Sequence, residues 1–109
     1  MRSFGWLVLP AILSYLAASA AAQESGDPAA GHEFARQVCA VCHAVDAGET
    51  DSPHPSAPTF DRIAAEPGMT ATALSVILRN PHREMPDLIL KSPEFADVIS
   101  YILTLKPQN

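Results

Sequence analysis

The chain has 109 residues, which is enough for one domain and not for two. Its formal net charge is −5, and all twelve acidic residues follow Ala22. A chain this acidic lacks the basic patch that nucleic-acid binding requires, and anionic membrane surfaces do not attract it. The composition therefore argues against both as partners.

The first 22 residues have the pattern of a secretory signal peptide. Arg2 gives a positive start, an apolar run occupies residues 4–18, and the small residues over 19–22 end in Ala-x-Ala. A retained membrane anchor is the alternative. The apolar run is shorter than the roughly 20 residues of a spanning helix, which favours cleavage after Ala22. We expect no stable membrane insertion once the signal peptide is removed.

The mature chain is predicted to begin with a flexible leader over residues 23–29, followed by one domain over residues 30–109. Asp27 followed by Pro28 is typical of a helix start. Apolar residues at helical spacing predict a first helix over residues 30–42.

A cysteine motif lies at the end of this predicted helix. Cys39, Cys42 and His43 form the Cys-x-x-Cys-His pattern of covalent haem attachment. Each thiol can add to one vinyl group of the porphyrin edge, and two intervening residues let the chain span both groups. The histidine that follows directly is then close to the iron. We predict one haem c, bound through two thioethers, with His43 as the first axial ligand.

Three other readings of the two cysteines are weaker. A thioredoxin-type dithiol belongs to a βαβ unit, and this chain has no convincing strand pattern. A zinc site needs four ligands, whereas His32, His54 and His82 are scattered singly. A structural disulfide across so short a loop would be strained.

The rest of the chain predicts further helices joined by proline-rich loops. Residues 44–57 read as a loop, and a short helix is predicted over residues 59–65. Thr70 can cap a third helix that ends before Pro81. Ser92 is predicted to cap a last helix, in which the next residue is a proline. The pattern indicates an all-α domain of three or four helices.

The second axial ligand is predicted to be Met85. It lies in the loop before the last helix and is followed by a proline. A low-spin electron carrier needs such a sixth ligand, and a thioether opposite a histidine raises the haem potential. Met69 is the competing methionine, although a methionine in a small core commonly fills a gap. His54 and His82 would give bis-histidine ligation, and His32 is predicted to lie on the surface.

These residues resemble the class I cytochrome c family over residues 30–106. Gly31 matches the small residue at which the first and last helices of that family cross, and Tyr101 and Leu105 match the last-helix positions at the crossing. Position 35, often aromatic in the family, is alanine here. The resemblance implies the cytochrome c fold, in which three to five helices wrap around one covalently attached haem.

The resemblance also assigns roles near the iron. Pro58 matches the family proline whose backbone carbonyl accepts a hydrogen bond from the ligand histidine, and Met85 with its proline matches the methionine-ligand loop. The family's tryptophan, which binds a haem propionate, is absent from the mature chain. Four residues are candidate substitutes, namely Thr59, Arg62, Arg79 and Arg83.

These expectations describe a periplasmic electron carrier and not an enzyme. The iron would cycle between Fe(III) and Fe(II), and monomer is the expected oligomeric state. Redox proteins are the expected partners, although the sequence identifies neither donor nor acceptor. Three alternatives stay open: a haem subunit of a larger dehydrogenase or oxidase complex, a gas-binding haem protein with an open sixth site, and a secreted domain with one small disulfide.

Overall fold

The computed structural model describes residues 26–80, 84–85 and 90–108. Within these ranges the chain forms four α-helices, one 3₁₀ turn and no strand, as the all-α prediction expected. The elements in chain order are α1 (Pro28–Val38), the 3₁₀ turn (Cys39–Val41), α2 (Phe60–Ala65), α3 (Ala71–Arg79) and α4 (Ser92–Thr104).

The predicted signal peptide, residues 1–22, lies outside the described residues, as do residues 23–25 of the predicted leader. None of the helices in the described part of the chain is long and apolar enough to cross a bilayer.

Helix α1 begins earlier than the sequence predicted. The carboxylate of Asp27 accepts hydrogen bonds from the backbone N–H groups of Ala29 and Ala30, and Pro28 occupies the first turn, where its missing N–H costs nothing. The Asp27 N–H also donates to the Asp97 carboxylate on α4, at 2.7 Å. Helix α1 therefore starts at the Asp27-Pro28 signal, inside the range 23–29 that was predicted as a leader.

The first and last helices cross at Gly31. This glycine is buried, and a Cβ atom at its position would overlap the backbone carbonyl of Asp97 on α4. One turn further along α1, Ala35 is fully buried. Its small side chain is compatible with the close contact between α1 and α4. The predicted role of Gly31 at the crossing is confirmed.

Hydroxyl and carboxylate groups cap the other three helices. Thr59 and Thr70 each accept a hydrogen bond from the backbone N–H three residues further on, at the starts of α2 and α3. The prediction for α4 was wrong by one residue: Lys91 is its N-cap and Ser92 its first helical residue. The Glu94 carboxylate accepts from the Lys91 N–H at 3.2 Å and so satisfies one free donor of that helix end.

Side chains from all four helices form one apolar core. Aromatic residues are few in the described chain, so aliphatic side chains from α3 and α4 supply much of the core. Its buried members are Ala35, Val45, Phe60, Ala64, Met69, Leu74, Val98, Ile99, Tyr101 and Ile102. One side of this core borders a cavity.

Candidate functional site

The cavity has a volume of about 500 Å³, within the range of roughly 300–1,000 Å³ that is typical of small-molecule and cofactor sites. Helices α2, α3 and α4 each contribute to its wall. Apolar side chains predominate in this wall, among them Phe60, Ile63, Leu74, Ile77, Val98 and Ile102. The site therefore fits a large apolar plate better than a charged metabolite.

The 3₁₀ turn after α1 places the cysteine motif at the cavity. The backbone N–H groups of Cys42 and His43 both donate to the carbonyl oxygen of Cys39, at 3.1 and 2.9 Å. This tight turn brings the His43 backbone back to Cys39, and both residues line the cavity.

The protonation of His43 suits a metal ligand. Its Nδ1 lies 2.7 Å from the backbone carbonyl oxygen of Pro58, which can only accept a hydrogen bond. Nδ1 therefore carries the hydrogen, and in the neutral ring the lone pair lies on Nε2, the atom that would bind a metal. The ring packs at a tilt against Phe60, with 5.6 Å between the ring centroids, which further limits its rotation.

The two cysteines are half-buried free thiols in this structure and are not joined as a disulfide. Burial raises the pKa of the Cys39 thiol to about 11, so Cys39 is a neutral thiol at physiological pH. Addition of a neutral thiol across a vinyl double bond is the chemistry of thioether formation.

The structure brings two methionines to the same cavity. Met85 is half-buried and lines the wall together with His43. Met69 also lines it, and this side chain is only 7% exposed. The choice of Met85 over Met69 stays a prediction. Among the histidines proposed as alternative ligands, His54 contacts Ser56 and Glu84, and His82 lies outside the described residues.

The candidate propionate partners lie in different surroundings. Arg62 lines the cavity, whereas the Arg79 guanidinium lies 4.7 Å from the centre of the Phe95 ring in a cation–π contact. The Thr59 hydroxyl caps α2, and Arg83 lies outside the described residues. Of the three candidates that the structure describes, Arg62 is the one that lines the cavity.

A polar cluster beside the core was not predicted. His32, expected on the surface, stacks on Tyr101 with ring centroids 4.3 Å apart. Its Nε2 lies 2.5 Å from a carboxylate oxygen of Asp46, and the Arg36 Nε donates to the same oxygen at 3.0 Å. The hydrogen bond from His32, followed by the one from Arg36, lowers the pKa of Asp46. The spacing of His32 and Arg36 places both on one face of α1, but nothing in the sequence placed Asp46 opposite them.

These residues fit a covalently bound haem. The cavity combines an apolar wall, a neutral thiol at Cys39, a histidine whose Nδ1 faces a carbonyl and leaves Nε2 for a metal, and two methionines. Cys42, three residues after Cys39, would supply the second thioether, and His43 and one methionine would be the axial ligands.

The chain is similar to a curated bacterial protein. It is 30% identical, over 92 residues, to cytochrome c-552 of Bradyrhizobium diazoefficiens, and the match covers 84% of this chain and 88% of that protein. No family model matches the chain. No solved structure matches it either.

Proposed function

This chain belongs to the c-type cytochromes, and on that premise we propose that it is a periplasmic electron-transfer protein and not an enzyme. It carries one haem c, attached through Cys39 and Cys42, with His43 and Met85 as axial ligands. When bound, the haem supplies an iron that exchanges one electron between Fe(III) and Fe(II). The predicted signal peptide, residues 1–22, supports export.

The observation that carries this proposal is that His43 and Met85, from distant parts of the chain, line one apolar cavity together with Cys39. A histidine and a thioether at one cavity are the ligand pair of high-potential c-type haems. The sequence alone predicts both residues as ligands.

Side chains and backbone groups of this chain then have defined tasks. The Pro58 carbonyl keeps the hydrogen of His43 on Nδ1 and holds the ring in one orientation. The aliphatic walls from α3 and α4 exclude water, and a dry site favours the less charged, reduced form of the cofactor. A methionine ligand acts in the same direction, because its neutral sulfur favours ferrous iron. None of these tasks is an acid–base or nucleophilic step.

The partners are redox proteins that donate or accept one electron, and the protein acts as a monomer.

Two measurements on the exported protein test the haem assignment: its visible spectrum, oxidised and reduced, and haem staining after denaturation. We expect haem that survives denaturation, sharp low-spin bands and the weak far-red band of a sulfur–iron bond. Covalent haem without the far-red band would indicate bis-histidine ligation or an open sixth site, and no covalent haem would refute the proposal.

A pair of matched variants identifies the sixth ligand. Met85→Leu and Met69→Leu each remove one sulfur while nearly conserving side-chain volume. We expect Met85→Leu to abolish the far-red band and to lower the reduction potential sharply, whereas Met69→Leu keeps both. The opposite result would assign the ligand to Met69.

The alternative function, a haem subunit of a larger dehydrogenase or oxidase complex, has a separate test. Co-purification of the chain with a larger enzyme would favour it.

A further inference from the structure

Glu84 has an unusual backbone conformation. Its φ is +76°, and no other residue except glycine has a positive φ among those that the structure describes. Residues with a Cβ atom avoid this left-handed region, because the side chain approaches the following carbonyl oxygen. Where such a conformation persists in a protein, the surrounding structure must hold it, and these positions concentrate at functional sites.

Glu84 directly precedes Met85, the proposed sixth ligand. The two neighbours point to different environments: the Glu84 side chain is 61% exposed, whereas Met85 is half-buried in the cavity wall. A left-handed residue changes the direction of the chain within a single step. The change of direction thus falls between an exposed side chain and one that lines the cavity.

The carboxylate of Glu84 faces a second loop. One of its oxygens lies 3.9 Å from Nε2 of His54, too far for a hydrogen bond but close enough for electrostatic attraction. The His54 Nδ1 accepts from the Ser56 N–H at 3.1 Å, so the hydrogen of the neutral ring lies on Nε2, on the side of Glu84.

His54 is also connected to the cysteine motif. Its backbone N–H donates to the carbonyl oxygen of Cys42 at 3.0 Å. Glu84, the neighbour of the proposed sixth ligand, thus faces a residue that is bonded directly to the proposed haem-attachment turn.

We propose that Glu84 is a positioning residue for the sixth ligand: its left-handed backbone turns Met85 into the cavity, and its carboxylate, facing His54, stabilises that turn. The inference rests on the proposed function, because it takes Met85 to be a ligand. The backbone conformation is the larger contribution, since an exposed and loosely spaced polar pair has little effect by itself.

Two variants of similar size separate backbone conformation from charge. Both Glu84→Asn and Glu84→Val remove the carboxylate, but asparagine tolerates a positive φ and a β-branched valine does not. The measurements are the intensity of the far-red band and the imidazole concentration that displaces half of the methionine ligand. We expect Glu84→Asn to stay within about twofold of the wild type, and Glu84→Val to need about tenfold less imidazole or to lose the band.

The outcomes distinguish this inference from the proposed function. Retention of the far-red band in Met85→Leu would refute Met85 as ligand, and the positioning role with it. Loss of the band in Met85→Leu, together with equal imidazole titrations for Glu84→Val and Glu84→Asn, would overturn the positioning role alone. Equal haem content and helical circular dichroism show that the variants are folded.

Should Glu84→Val fail to accumulate with haem, Glu84→Gly and Glu84→Ala make the same comparison with a difference of one methyl group. Glycine adopts a positive φ without steric cost, so we expect Glu84→Gly to need several-fold more imidazole than Glu84→Ala. Equal values would overturn the proposal.

The contribution of His54 has its own control. In His54→Asn the shorter side chain can still accept from the Ser56 N–H, as in an Asx turn, but it does not reach Glu84. In His54→Asn we expect the imidazole concentration that displaces half of the methionine ligand to fall about twofold. Adding Glu84→Gln to this variant should lower it no further. Additive effects of the two substitutions would overturn the part assigned to His54.

Discussion

The phenol of Tyr101 on α4 donates a hydrogen bond of 2.6 Å to the backbone carbonyl oxygen of Val45, a residue 56 positions earlier in the chain. Both residues are buried. The bond joins the last helix to the segment that directly follows the cysteine motif, so it connects the α1–α4 crossing with the cavity wall that contains His43.

Tyr101→Phe should destabilise the protein by about 1–3 kcal/mol, because it leaves the buried carbonyl of Val45 without its donor. The phenylalanine ring keeps the stacking contact with His32, so the change isolates the hydrogen bond. Denaturant unfolding of the haem-loaded protein measures the effect. A change below about 0.5 kcal/mol would mean that water or another group satisfies this carbonyl.

Gly31→Ala should destabilise by about 1–3 kcal/mol or more, because the new methyl group meets the backbone of Asp97 and forces α1 away from α4. On an exposed helix surface the same change would be stabilising. Ala30→Gly is the matched control at an exposed neighbouring position, and it should cost no more than about 1 kcal/mol. Thermal unfolding of both variants tests the expectation, and a stabilised Gly31→Ala protein would contradict the observed helix crossing.

The carboxyl group of Asp46 should make the folded protein less stable as the pH falls into the acid range. The hydrogen bonds from His32 and Arg36 lower the pKa of Asp46 below its ordinary value of 3.8. The ionised carboxylate therefore makes its full contribution to folding stability at pH values above 3.8. That contribution disappears as the pH falls through the lower folded-state pKa. Unfolding midpoints of wild type and Asp46→Asn, compared from about pH 6 to about pH 2, should converge as the pH falls. A constant difference would show that Asp46 is not responsible.

Two positions on α3 offer a direct comparison of burial. Leu74 is 1% exposed and lies in the cavity wall, whereas Val76 is 57% exposed. Leu74→Ala should cost about 2–5 kcal/mol, because it removes buried methyl groups and leaves a gap. Val76→Ala should change stability by no more than about 0.5 kcal/mol. Chemical denaturation of the two variants measures both values, and similar losses would mean that Val76 is covered in solution.

Much of this protein could be predicted from local sequence. The cysteine motif indicated covalent haem attachment, and the threonines before α2 and α3 cap those helices in the structure. The cap predictions succeed because short-range chemistry decides them: a hydroxyl reaches the amide three residues on. Haem attachment at the cysteine motif stays a prediction of the same local kind. The role of Gly31 came instead from the resemblance to class I cytochromes c, and the close approach of α1 to the Asp97 backbone agrees with it.

Only the tertiary structure decided the contacts that join distant segments. The Asp27 N–H meets the Asp97 carboxylate of α4, and the partly exposed His32 stacks on Tyr101 and bonds to Asp46. The left-handed turn at Glu84 has no local signal either, because glutamate is not a residue that favours a positive φ. Sequence patterns describe what a residue prefers among its neighbours in the chain, whereas these features arise from groups that meet only after the helices have packed.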